Sequence, residues 1–359
     1  MSALTSRLTL GFIPLTDAAP LLVAQANGYF AAEGLDVSLS REASWATVRD
    51  KVAVGALDAA HMLAPMALAA TAGVGGSPAA GASVIAPLAL AVNGAAITLS
   101  DRLIRALGDD AGSPLTAAAG VAQLVAEGRA AGRQPMTFAV VFPQSMHNYL
   151  LRYWLAGAGV DPDRDVRIIV IPPSRMVEQL GQGEVDGVCV GAPWNTVAVR
   201  AGLGRIILRT STFWPSGPDK VLGVTEAVAG ADPVRLQALL RALVRAQAWA
   251  DAPQNRADLI TLLADPAHVG AEPEAIAAAL ADELVFHAAA AAVPRLEHAR
   301  WLLGQMRRWN QISPTLDQAG LAARVYRPDL ALEALRAVGL GGDRSAPLAP
   351  LFDGARFEG

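Results

Sequence analysis

Gly55-Ala-Leu-Asp58 runs through Ala-Ala-His-Met-Leu-Ala to Pro65, and Gly183-Glu-Val-Asp186 runs through Gly-Val-Cys-Val-Gly-Ala to Pro193. Both segments set an Asp three residues after a Gly and a Pro ten residues after it. Each follows a short amphipathic helix pattern, with Val48 and Val52 before the first and Met176, Val177 and Leu180 before the second. The shared grammar is helix, glycine stop, Asp turn, buried strand, then a proline where the chain leaves the sheet. Two copies 128 residues apart predict two similarly built α/β lobes.

The neighbouring sequence extends this pattern. Residues 8–14 read as a strand, Thr16-Asp17 as a helix N-cap with Pro20 in the first turn, and residues 20–27 as a helix ended by Asn27-Gly28. Leu35–Leu39 alternates as a half-exposed strand, which makes a βαβ unit with a parallel sheet. Further strands are expected at 83–92, 96–99, 137–142 and 166–171, and a helix over His147–Gly157. After Gly223 long Ala/Leu/Arg helices dominate, near 233–251, 256–264, 272–284 and 294–309. The expected partition is lobe I from 1–92 and 214–340, lobe II from 93–213, and a loose tail over 341–359.

Composition narrows the function classes. The 359 residues are 53% hydrophobic and 17% charged, against a usual charged share of about 25%, so a lean surface covers a large core. A formal net charge of −4 gives no footprint for direct nucleic-acid binding. One cysteine excludes a disulfide framework and a Cys-based zinc site. No Asp, Glu, Lys or Arg lies between Asp58 and Asp101, but Pro65, Gly-Gly-Ser-Pro at 75–78, Pro87 and Asn93-Gly94 cut that stretch. No piece reaches the ~20 apolar residues a spanning helix needs. The first residues lack the charge and apolar run of a secretory signal, so a cytoplasmic protein is expected.

Catalytic sets do not assemble: no His-Glu-x-x-His, Gly-x-Ser-x-Gly, Walker A or dinucleotide fingerprint is present. Cys189 sits in an apolar strand and reads as an inert buried thiol. His61 lies mid-strand and reads as a satisfied core group, and His268, His287 and His298 fall among the C-terminal helices. His147 stands at a strand–helix junction. It is either a first-turn surface residue or a group at the sheet edge where anions meet helix N-termini. Of 29 basic residues only Lys51 and Lys220 are lysines. Lys220, in Trp214-Pro-Ser-Gly-Pro-Asp-Lys220-Val-Leu-Gly, is either an exposed loop residue or a compact point charge kept where arginine's planar fork does not serve. Trp45, after the cap candidate Ser44, either packs in the core or lines a cleft.

Several of these segments carry a family resemblance. Leu10-Gly-Phe-Ile-Pro-Leu-Thr-Asp-Ala-Ala-Pro-Leu, Ala43-Ser-Trp-Ala-Thr-Val-Arg-Asp and Asp58-Ala-Ala-His-Met-Leu-Ala-Pro-Met resemble the nitrate- and bicarbonate-binding proteins of the NrtA/CmpA group. Asn93-Gly, Phe142-Pro with His147, Arg152-Tyr-Trp-Leu, Val170-Ile-Pro-Pro with Met176-Val, Cys189-Val-Gly with Pro193-Trp194, and Lys220-Val-Leu-Gly follow in order. The resemblance implies the type II periplasmic-binding-protein fold: two α/β lobes joined by a hinge, closing on a small anion in the cleft. It implies a ligand site at Trp45, His147 and Lys220 with the backbone around Gly191. The family's glutamine after Asn-Gly is Ala95 here, its Gly-Gly before Thr-His is Gln144-Ser145, and its Glu before Pro-Trp is Ala192. Gln144 is the expected replacement amide donor. A bicarbonate binder of this group carries an acidic residue with a metal where Lys220 stands, so lysine implies nitrate or nitrite and no metal or other cofactor.

Within the group the chain resembles the cytoplasmic branch, the NasS-type nitrate/nitrite sensor. Such a sensor holds a NasT-type ANTAR-domain antiterminator and releases it when the anion binds. The expected partners are therefore nitrate or nitrite and a NasT-type protein, with no direct nucleic acid and no membrane. A transporter's solute-binding component and an enzyme on the same fold are the alternatives. One ion contact at ~4 Å is worth ~4 kcal/mol before desolvation, while a micromolar ligand needs ~8, so further donors must converge on the anion.

Overall fold

The computed structural model describes residues 7–74, 82–282, 284–341 and 349–354. The first six residues, the interruption at 75–78 and most of the tail lie outside the described residues. Among the described residues ten strands form two five-stranded sheets: β1 (Leu8–Phe12), β2 (Val37–Arg41), β3 (Ala59–Leu63), β4 (Val84–Val92), β5 (Ala95–Ser100), β6 (Thr137–Val140), β7 (Arg167–Val170), β8 (Gly187–Gly191), β9 (Gly204–Arg209) and β10 (Pro218–Thr225). The orders are β2-β1-β3-β10-β4 and β7-β6-β8-β5-β9. Position for position the two sheets have the same design. Three parallel strands are followed by a fourth that runs antiparallel and enters from the other lobe: β10 in the first sheet and β5 in the second. The sheets are therefore mixed, not purely parallel as the opening βαβ reading implies.

The echoed segments occupy equivalent places before β3 and β8. Gly55 and Gly183 both have φ +75, the left-handed turn that stops the preceding helix. Asp58 Oδ2 accepts the Thr9 N–H at 2.7 Å, and Asp186 Oδ2 accepts the Thr137 N–H at 2.9 Å. The backbone N–H of each Asp donates back to the carbonyl of the same threonine. Each Asp thus clamps the first residues of the neighbouring parallel strand, β1 or β6, and sets its register.

Among the described residues the chain crosses between lobes twice, at Asn93-Gly94 and over 210–217. The crossings are laced together: Asn93 N–H donates to Gly217 O at 2.9 Å and Gly217 N–H to Asn93 Oδ1 at 3.0 Å. Gly94 has φ +89, and a Cβ there would lie 2.6 Å from Leu284 Cδ2, so only glycine fits. The helices after β10 include Pro233–Asp251 and Leu296–Arg308. The first buries Leu239, Leu240, Leu243 and Val244 against Leu21, Leu22 and Val23 of lobe I.

Residues 349–354, read from sequence as part of a loose tail, lie against the second crossing. Trp214 Nε1 donates to Ala349 O at 3.0 Å, Phe352 N–H to Phe213 O at 2.8 Å, and Leu351 is buried. The Trp214, Phe213 and Phe352 rings supply an apolar anchor that local composition did not reveal. Among the described residues no helix is long and apolar enough to cross a membrane.

Candidate anion site between the lobes

The sequence elements that bracket the cleft bring their side chains to one buried point. Ser44 Oγ accepts the Thr47 N–H and caps the helix Trp45–Ala53, which sets Trp45 in its first position. Ser145 Oγ accepts the Asn148 N–H and caps the helix Met146–Gly157, which sets His147 in its first turn with the N-terminal backbone dipoles. β8 ends on Gly191, where a Cβ would stand 3.5 Å from His147 Nε2 and from Leu15. Lys220 lies in β10, not in an exposed loop, and is fully buried. Trp45, His147, Gly191 and Lys220 are thus gathered where the lobes meet. Gln144 is buried in the turn three residues before His147, but no hydrogen bond or ion pair among the described residues ties it to the cluster.

Three further side chains belong to this point. Lys220 Nζ lies 2.8 Å from Asp17 Oδ2 and 2.7 Å from Asp219 Oδ2, and 5.6 Å from the centre of a Trp45 ring. His61 Nε2 is 2.8 Å from Asp17 Oδ1, and the His61 and Trp45 ring centres are 5.3 Å apart. His61 Nδ1 accepts the Ile13 N–H at 3.4 Å, so the neutral ring carries its proton on Nε2, facing Asp17. Asp219 Oδ1 lies 3.9 Å from His147 Nδ1 in the other lobe. Asp17 does not cap its helix. Thr16–Ala18 form a 3₁₀ turn with no side-chain cap bond, and the Asp17 carboxylate turns to a lysine and an imidazole instead. A charge-assisted pair in a dry interior outweighs one neutral capping bond.

Asp219 and Lys220 are consecutive in a strand yet reach one another. Consecutive strand residues normally face opposite ways, but the β10–β4 register is broken around Lys220, where Pro218 pairs Val92 and Lys220 pairs Ala91. That irregularity turns an acid and a base to the same point. Nothing in the local sequence marks it except Pro218, which cannot donate to a ladder.

Burial sets the electrostatics. It pushes the Asp17 carboxyl up, but Lys220 and His61 more than offset that and hold it well below the usual carboxylate range. Burial pulls Lys220 down, and the two carboxylates outweigh it and leave the ammonium firmly protonated. Burial depresses His61, with Asp17 opposing in part, and depresses His147 strongly, with the Lys220 charge adding to it. Burial pushes Asp219 up, Lys220 pulls it down and Asp17 pushes it up again, to about 7.

Several polar groups here lack partners. Among the described residues Trp45 Nε1, Thr16 Oγ1 and both ring nitrogens of His147 are buried with no hydrogen bond. Unpaired buried polar groups are costly and gather where a ligand pairs them. An ammonium, an indole N–H, an imidazole, a hydroxyl and a helix N-terminus form a donor set for a small anion. The lobes close over it, with Thr16 N–H donating to Ala192 O at 3.0 Å and Trp194 Nε1 to Pro14 O at 3.2 Å. Among the described residues no group of three or more His, Cys, Asp or Glu side chains is disposed to hold a metal.

The NMT1-like family matches residues 3–264. The nitrate/nitrite binding protein NrtA of Synechococcus elongatus is 32% identical over 374 residues, which cover 98% of this chain and 83% of that protein. The chain belongs to the NMT1-like family, in its NrtA-like branch. The nitrate import ATP-binding protein NrtC of Synechocystis is 37% identical over 375 residues, and there the chain spans 53% of the relative's length. Among solved structures, the periplasmic nitrate-binding protein NrtA from Synechocystis PCC 6803 superposes with a TM-score of 0.85 at 28% identity, covering 98% of this chain and 95% of that one. The aliphatic sulphonate binding protein SsuA of Escherichia coli, with a TM-score of 0.64 and 16% identity, shares the fold. This NrtA-like chain therefore has the two-lobed α/β fold that its sequence resemblance implies.

Of the site, the resemblance pointed to Trp45, His147, Gly191 and Lys220, but not to Asp17, His61 or Asp219. The sequence reads His61 as a satisfied core group. It is buried and paired, and its partner is a site carboxylate.

Proposed function

We propose that this chain binds nitrate or nitrite between its lobes and works as a cytoplasmic sensor. In this reading the unliganded protein holds a NasT-type ANTAR-domain antiterminator and the liganded protein releases it, which switches nitrate-assimilation genes on. The protein catalyses no reaction in this scheme. The observation that carries the ligand half is the fully buried Lys220 beside the unpartnered Trp45 indole and His147 imidazole. Nitrate is planar, singly charged and weakly basic, so it needs one charge, several N–H donors and a flat wall. The Trp45 ring supplies the wall and one donor.

The relatives named for nitrate and nitrite support the same ligand. The partner half rests on the NasS resemblance. Lobe closure supplies its physical means, since an anion that favours the closed form shifts the population of any surface that differs between the forms. A solute-binding component of a nitrate/nitrite transporter is the second reading, favoured by relatives that are named as import or binding components.

Calorimetric titration with nitrate, nitrite and bicarbonate, with and without calcium, tests the ligand. Nitrate or nitrite should bind without calcium; bicarbonate binding that requires calcium contradicts the assignment. The partner is tested by purifying the protein free of nitrate together with its regulator. The pair should dissociate on adding nitrate, and a complex that persists in saturating nitrate defeats the release scheme.

A further inference from the structure

The charges at the site do not balance for an anion. Lys220 contributes one positive charge, and Asp17 and Asp219, both fully buried, each touch its ammonium. Asp17 alone neutralises Lys220. With both carboxylates ionised the point between the lobes is net negative before any ligand arrives, and a buried net-negative point repels an anion.

We propose that the site takes its anion together with one proton, and that Asp219 is the residue that holds that proton. This rests on the anion-site reading above. Protonation of Asp219 removes the surplus charge, releases Lys220 from one of its two carboxylates and makes Oδ1, which has no hydrogen bond among the described residues, an available donor. Asp219 is thereby a specificity residue. It makes the site favour a small monovalent oxyanion accompanied by a proton over the same anion alone.

The other groups around Asp219 are poorly placed to hold the proton. His61 Nδ1 already accepts the Ile13 N–H, so protonating that ring breaks a backbone bond. His147 stands under the influence of the Lys220 charge. Asp17 is shared by Lys220 and His61, which both favour its ionised form. His298 and Tyr326 line the small space on the far side of Asp219 and Lys220, and burial keeps both uncharged at neutral pH. The position of Asp219, pushed up to about 7, agrees with this assignment.

The test is nitrate binding by calorimetry at pH 8 in two buffers of different ionisation enthalpy, HEPES and Tris, followed by affinity from pH 6 to pH 9. Nitrate is the anion of a strong acid and brings no proton of its own. The wild-type chain should take up about one proton per nitrate at pH 8 and lose affinity about 100-fold between pH 6 and pH 9. Asp219→Asn, with folding checked by circular dichroism, should bind with no uptake and a flat profile. Wild-type binding without proton uptake at pH 8 overturns the proposal, as does uptake that survives in Asp219→Asn. The wild-type result stands by itself where the variant does not fold. Failure of nitrate, nitrite and bicarbonate to bind at any pH in this range overturns the anion site itself, and this outcome is distinct from binding without a proton.

Discussion

Lys220 is buried completely, and its ammonium is tolerable there because Asp17 neutralises it, with Asp219 as a second carboxylate against it. Removing one partner of a buried ion pair leaves the other stranded, at a cost of about 3–5 kcal/mol. Lys220→Met should therefore lose nitrate binding and also unfold at lower denaturant at pH 8. The loss should be smaller at pH 5, where Asp219 is free to take a proton; denaturation curves at the two pH values check it. His147→Ala should weaken nitrate about tenfold, the worth of one hydrogen bond to a charged ligand, read by calorimetry. Unchanged affinity removes His147 from the site. Lys220 was conspicuous in the sequence because nearly every other basic residue is arginine, and the resemblance placed Trp45 and His147 beside it. Asp17 and His61 were not legible as partners, because they meet across 44 residues of chain and one of them sits where a helix cap was expected. Asp219 was hidden by the irregular register of β10, of which Pro218 is the one local sign.

At the scale of elements, the Gly–Asp–Pro echo was the most informative signal in the chain. Its two aspartates perform one task in two places, each accepting a backbone N–H at the start of a neighbouring strand, Thr9 in β1 and Thr137 in β6. Asp58→Ala and Asp186→Ala should each cost about 1–3 kcal/mol in chemical denaturation, since each leaves a strand-end N–H without its partner. Costs near zero at both positions would show that the two clamps do not hold the strands. Gly94→Ala should be worse than either, because it places a side chain at φ +89 and against Leu284. The antiparallel members of the sheets were not legible. β5 and β10 read locally like any other strand, and their direction follows from the chain crossing between lobes, a property of the path and not of the residues.

Across the whole molecule, closure and protonation act on the same buried cluster. The folded state holds the Asp219 proton up to about pH 7, whereas the unfolded chain releases it in the usual carboxylate range. The folded form thus binds more protons across that window, and stability falls as pH rises through it. Asp219→Asn should escape that loss. It should melt several degrees above the wild type at pH 8 and close to it at pH 4, and an equal difference at both pH values refutes the linkage. The tail shows how far composition reaches: Pro, Gly and charge over 341–359 read as loose chain, yet the aromatic surface that holds residues 349–354 is assembled from Phe213, Trp214 and Tyr153 far away in sequence. The central claim is that the buried point around Lys220 binds a small monovalent anion. Nitrate titrated into the nitrate-free protein at pH 6 tests it directly. One site per chain with a dissociation constant in the micromolar range, abolished in Lys220→Met that circular dichroism shows to be folded, is the predicted result; no binding by the wild-type chain, or undiminished binding by that variant, contradicts it.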